Sequence, residues 1–110
     1  MISNKKLRDG LMIIDKKFDG NCLRIMLKGR LDTNSAPILE ESLTDNFQNI
    51  NSLILDFEEL MYISSAGLRV IILIHKKIPN DCEMSIENVN DIIMEVFDTT
   101  GFSNVLSINQ

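Results

Sequence analysis

Two adjacent serines, Ser64 and Ser65, stand at the mouth of an apolar run, Ala66-Gly67-Leu68-Arg69-Val70-Ile71-Ile72. A hydroxyl in such a place has three chemistries open to it. It can cap a helix, attack a carbonyl, or accept a phosphoryl group. Capping suits Ser64, whose oxygen can accept from an orphan backbone N–H of the first turn. Ser65 then falls within that turn, among unpaired amides at the positive end of the helix dipole. A phosphate added there would be favourably placed for its own helix. Spacing alone leaves open whether the serines do more than start a helix.

Nucleophilic catalysis needs a base and an orienting acid, and neither can be named around Ser65. The single histidine, His75, comes late in the apolar run and reads as a helix-end residue. The chain has no Gly-x-Ser-x-Gly elbow and no Gly-rich loop ending in Lys-Ser or Lys-Thr. Cys22, Cys82 and His75 lack a zinc spacing. Both cysteines sit in strand-like runs and read as small core hydrophobes rather than a disulfide or metal pair. The methionines Met12, Met26, Met61, Met84 and Met94 are scattered through apolar runs and suit core filling. No catalytic residue, metal or cofactor is expected.

The elements that must position the serines follow from periodicity. Residues 1–10 are polar and mixed, which predicts a flexible tail ahead of one domain over 11–110. Residues 11–18 read as a strand and Asp19-Gly20-Asn21 as a turn. From Cys22 to Lys28 the pattern alternates, with Leu23, Ile25 and Leu27 on one face, which predicts an antiparallel hairpin. A helix follows, capped by Thr33 or Asn34, with Pro37 in its first turn and Ala36, Leu39, Leu43 and Phe47 on one face. The run from Leu53 to Phe57 suits a central strand, covered on both faces or paired in parallel. A short polar loop with Glu58 and Glu59 as a solvated turn should then lead to the serines. The helix from Ala66 to about Lys77 has little polar surface beyond Arg69, Lys76 and Lys77, so it should be deeply buried.

Pro79-Asn80-Asp81 breaks the chain, and Cys82 to Ile86 alternates as another strand. A strand, a helix and a strand in that order imply parallel pairing. Val89, Ile92, Ile93, Val96 and Phe97 mark an amphipathic helix, capped by Asn88 and left through Gly101. Residues 105–108 read as a short last strand. The class is α/β: a small mixed sheet of about four to five strands with helices packed against it.

The chain has 110 residues, 45% hydrophobic and 25% charged, with a formal net charge of −5. That balance suits one modest core and disfavours non-specific binding to nucleic acid or an anionic membrane. The first residues lack the apolar run of a signal peptide, and no segment approaches the length of a membrane span, so a cytoplasmic setting is expected.

Tyr62-Ile63-Ser64-Ser65-Ala66-Gly67-Leu68-Arg69-Val70 resembles the signature loop of STAS domains, most closely that of bacterial anti-sigma factor antagonists. Leu27-Lys28-Gly29-Arg30-Leu31-Asp32 is similar to the family's Gly-x-Leu-Asp strand end, and residues 97–102 to its late helix exit. Many members carry an acidic residue just before the phosphorylated serine, where this chain has Ser64. The resemblance implies a STAS fold and phosphorylation at Ser65. It also implies a partner-binding surface that includes Asp32, Ser64, Ser65, Gly67, Leu68 and Arg69. The implied partners are an anti-sigma factor that is also a serine kinase of the histidine-kinase-like ATPase type, and a serine phosphatase. From its own setting, Asp32 reads equally as a turn residue bonding nearby amides. A STAS scaffold or subunit of a stress-sensing or lipid-transport complex, with a silent serine loop, is the alternative function. A serine hydrolase is the weakest.

Overall fold

The computed structural model describes the backbone of residues 3–6 and residues 12–43 and 49–110. Among the described residues, six strands and three α-helices follow in the order β1 (Ser3–Lys6), β2 (Met12–Asp19), β3 (Cys22–Leu31), α1 (Ala36–Leu43), β4 (Ser52–Ile63), α2 (Ser65–Lys77), β5 (Glu83–Glu87), α3 (Asp91–Thr100) and β6 (Ser107–Ile108). The strands form one mixed sheet in sequence order. β1, β2 and β3 are antiparallel, while β3, β4, β5 and β6 run parallel.

Strand alternation sets the layers. Ile14, Leu23, Ile25, Leu27, Leu53, Leu55, Phe57 and Ile86 are all essentially sealed from solvent. They share one core with Leu39 and Leu43 of α1, Ile71 and Ile74 of α2, and Ile93 and Phe97 of α3. Phe97 stacks on Phe57 with ring centroids 6.3 Å apart. The intervening strand residues form the other face. There Arg24 reaches Asp56 at 2.8 Å and Glu87 at 3.2 Å, tying three parallel strands together. Burial alone would lower the Arg24 pKa, but the bonds and charges of Glu87 and Asp56 outweigh it and raise it. Of the two settings foreseen for Leu53 to Phe57, parallel pairing is the one found: Leu53 and Leu55 are buried, while Ile54 and Asp56 are only half-buried.

The N-terminal residues depart from the expected tail. Ser3–Lys6 pairs antiparallel with β2, from Ser3 opposite Lys16 to Lys6 opposite Ile13. β2 would otherwise end the sheet with a row of unpaired backbone groups, and pairing them needs no apolar side chain. The sheet therefore has six strands rather than four to five. The rest of the expected tail, Leu11 and Phe47 lie outside the described residues.

β4 is also longer than the apolar run that marks it. Residues 58–63, foreseen as a polar loop, continue the strand to Ile63. Two register shifts against β3 explain the difference: Met26 faces Asp56, Lys28 faces Glu59, and Arg30 faces Tyr62. Each shift inserts one residue, so the buried positions change spacing from two to three, at Phe57, Leu60 and Ile63. Strict alternation fails there, and the strand reads as a loop.

Candidate functional site

The carboxyl ends of the parallel strands β3 and β4 lie side by side, with Leu31 opposite Ile63. Two turns leave from this edge, one into α1 and one into α2. The backbone N–H of Ser64 donates to the Leu31 carbonyl at 2.9 Å, which joins the turns. Gly67 closes the gap between α2 and the strands. A Cβ there would meet Leu31 Cγ at 2.8 Å and Ile63 Cγ1 at 2.9 Å, so the first turn can sit this low only because the residue is glycine.

Ser64 is the N-cap of α2, as its position in the sequence implies. Its Oγ accepts from the Gly67 N–H at 3.4 Å, a long bond. Ser65 is the first residue of the helix and is exposed. The helix has no acidic residue in its first turn, while His75, Lys76 and Lys77 occupy its last. His75 stands ten residues beyond Ser65, roughly 15 Å along the axis, so it cannot serve that hydroxyl as a base.

Asp32 is half-buried and organises the first turn. Its Oδ1 accepts from the backbone N–H of Asn34 at 3.0 Å and of Ser35 at 3.2 Å. Ser35, the one buried polar residue among those described, completes the turn. Its Oγ donates to the Arg30 carbonyl at 2.7 Å and accepts from the Asp32 N–H at 2.9 Å. The turn reading of Asp32 is therefore realised. The cap foreseen at Thr33 or Asn34 is not, because the Asp32 and Ser35 oxygens supply the bonds. Ser35 is the residue that sequence reasoning missed. Its only signal was a small hydroxyl three places after an aspartate at a strand end.

Arg30 lies over the Tyr62 ring at 4.2 Å, and its Nε is 3.8 Å from Asp32 Oδ2. Met61 and Tyr62 are 73% and 40% exposed at the end of β4, beside the serines. On the other side of Ser65 a groove of about 380 Å³ runs between α1 and α2. Thr33, Pro37, Glu40, Ser65, Arg69 and Leu73 line it. Of the site residues named from the sequence, Ser65 and Arg69 are exposed, Asp32 and Ser64 half-buried, and Gly67 and Leu68 buried. The fold brings Ser65, Arg69 and Thr33, the neighbour of Asp32, to one groove. Leu68, 7% exposed, belongs to the core beneath it.

The third helix is capped by Asn90, not by Asn88. Asn90 Oδ1 accepts from the Ile93 N–H at 2.8 Å, and its Nδ2 donates to the Leu60 carbonyl at 3.1 Å. Asn88 has a φ of +59° and bonds Asp56 instead. Gly101, with φ +81°, ends the helix as foreseen.

Both cysteines are free thiols. Cys22 and Glu83, the neighbour of Cys82, flank Ser52 from opposite sides, so two strand spacings (roughly 9–10 Å) separate the ends that carry the cysteines. Burial pushes the Cys82 thiol pKa up, with Asp81 and the other nearby negative groups adding to it, so it stays protonated and unreactive. No helix among the described residues is long and apolar enough to cross a membrane.

Comparison with known proteins agrees with this architecture. An anti-sigma-B factor antagonist of Bacillus subtilis is 26% identical over 97 residues, covering 87% of this chain and 89% of its own length. The anti-sigma-B factor antagonist of Staphylococcus aureus is 31% identical over 88 residues, covering 78% of this chain and 82% of its own. Among solved structures, an anti-sigma factor antagonist from Mycobacterium paratuberculosis superposes with a TM-score of 0.84 at 14% identity, over 96% of this chain and 90% of that one. Residues 14–110 match the STAS domain model. The chain belongs to the STAS domain family, with anti-sigma factor antagonists as its relatives.

Proposed function

We propose that this protein is an anti-sigma factor antagonist switched by phosphorylation of Ser65. In its unmodified form it binds an anti-sigma factor that is also a serine kinase of the histidine-kinase-like ATPase type, and so frees a sigma factor. The observation that carries this reading is the division of labour between the two serines. The Ser64 oxygen is engaged with the Gly67 N–H, while Ser65 is exposed at the first helical position. The names of the relatives support an anti-sigma factor as the partner; its kinase activity and type rest on the resemblance of the serine motif.

The kinase would transfer the γ-phosphoryl group of ATP to Ser65 Oγ, with ADP leaving and the hydroxyl proton passing to a base of the kinase. The product carries about −1.5 to −2 charges at neutral pH. The N-terminus of α2 accepts that charge without unfolding. A partner surface shaped over a neutral hydroxyl does not, because it must desolvate a dianion. A serine phosphatase would reverse the step. Asp32 contributes by holding the adjacent turn, and its charge adds to the repulsion after modification.

The test is to incubate the protein with ATP and the serine kinase encoded nearest its gene, then map the added phosphate by mass. Phosphate on Ser65, with binding lost on modification and kept in Ser65→Ala, supports the proposal. Phosphate on Ser64, or Ser65→Glu binding as tightly as Ser65→Ala, overturns it.

A further inference from the structure

Basic side chains around the two turns and along the α1–α2 pair are mostly committed. Arg30 is held between the Tyr62 ring and Asp32, and Lys77 reaches Glu40 at 3.3 Å across the helix pair. Arg69 differs: it is exposed and makes no hydrogen bond or ion pair among the described residues. It also stands four residues after Ser65 on the same helix, and both side chains line the groove between α1 and α2. Positions i and i+4 are neighbours on a helix surface, with Cβ atoms roughly 5–6 Å apart. The acid-first, base-second order is also the favourable one, because it agrees with the helix dipole.

We infer that Arg69 is the internal counter-ion of the phosphorylated state. The inference rests on Ser65 being the modified residue and extends it to how the switch works. In the unmodified protein the exposed Arg69 side chain lines the groove without a partner among the described residues, and is available to a carboxylate of the partner protein. Once Ser65 carries a phosphate, the guanidinium folds back onto it, where a planar fork meets phosphate oxygens in matching geometry. Phosphorylation thus does two things at once. It places a dianion in the contact surface, and it withdraws the arginine from the partner. A lysine would pair with the phosphate less well, since it offers a point charge rather than a fork.

The experiment uses protein with phosphoserine installed at position 65 during synthesis, so no kinase is needed. The phosphate is titrated by ³¹P NMR in the otherwise native chain, in Arg69→Ala, in Arg69→Lys and in Arg30→Ala. The Arg69 ¹⁵Nε shift is followed alongside. Pairing predicts a phosphate pKa lower in the native background than in Arg69→Ala by roughly 0.15–0.4 pH units, with Arg69→Lys between them. The Arg69 ¹⁵Nε signal should move on modification. The gap should shrink in 1 M salt. Equal pKa values in the native and Arg69→Ala backgrounds, an effect at Arg30 alone, or loss of the helix on phosphoserine incorporation would each overturn the pairing. Because the phosphate is installed chemically, a failure here is separate from a failure of the kinase to modify Ser65.

Discussion

The N-termini of α2 and α3 start from the same arrangement and finish it differently. Each helix has a polar N-cap in extended backbone whose side chain accepts from the N–H three residues on. In α3 the cap bond is 2.8 Å, and the residue after the cap is Asp91, a built-in anion held by Gln110 Nε2 at 2.9 Å. In α2 the cap bond is 3.4 Å, and the residue after the cap is Ser65. The place that α3 fills with a permanent negative charge, α2 leaves to an exposed hydroxyl. The protein itself thus shows that this fold tolerates an anion at the first helical position. What α2 lacks is the charge, and that is what phosphorylation would supply.

The comparison can be broken most forcefully at the helix bodies. Ile71 is fully buried while Ile92 is 71% exposed, although both sit on apolar-looking helices. Ile71→Asp should destabilise by several kcal/mol, roughly 3–5, because it buries an unpaired carboxylate. Ile92→Asp should stay within about 0.5 kcal/mol of the native protein. Urea denaturation of the two variants side by side decides this. Equal losses would mean that the faces assigned to the two helices are wrong.

Gly67→Ala comes next. The added methyl meets Leu31 and Ile63 below 3.0 Å, so α2 must lift or the strands must shift. The expected cost is about 1–3 kcal/mol. The corresponding position of α3 is Ile93, whose side chain is part of the core. A thermal melt of Gly67→Ala that matches the native protein would show that the close approach is not a constraint.

The caps should separate by a smaller margin. Asn90→Ala removes the short bond to Ile93 and the bond to Leu60, and should cost about 1–2 kcal/mol. Ser64→Ala removes one long bond and should cost about 0.5–1 kcal/mol. Chemical denaturation that reverses this order would refute the claim that α3 is the more firmly closed. The smallest effect is the most direct test of the parallel with Asp91. Ser65→Asp should raise stability by about 0.3–1 kcal/mol at low salt and lose most of that gain at 1 M salt. A destabilised Ser65→Asp would end the analogy.

The same two helix starts show what a sequence can and cannot reveal. The Ser64 cap was legible because the serine pair opens an apolar run. Asn90 was passed over for Asn88, two places earlier, because both are good caps by type. Only the backbone distinguishes them: Asn88 takes a left-handed conformation at the end of β5, while Asn90 is extended. Ile92 fits the apolar spacing of α3 yet faces solvent, since a spacing cannot say how wide the covered stripe is. The hairpin, the parallel strands and the order of elements follow from periodicity. β1 does not, because its place depends on backbone pairing with β2, and no side-chain pattern records that. At the site, Ser64 and Gly67 could be placed from the motif. Ser35 has only a weak local signal, and the Arg30–Tyr62 stack has none, because it depends on two bulges that set Arg30 opposite Tyr62.

The parallel pairing of β3 and β4 has a consequence for the order of events as the chain folds. The two turns at the edge of the sheet begin at Leu31 and Ile63, about thirty residues apart in sequence, and they meet only when those strands are in register. Closing so long a loop costs entropy before any contact is made, so such pairings form slowly. Hairpin β2–β3 and helix α2 can each form from local residues; the groove that holds Thr33 and Ser65 cannot. A chain still emerging from the ribosome, or one that has partly unfolded, carries the same serine in the same motif but without the surface around it. A partner that reads the surface rather than the motif therefore engages only finished molecules.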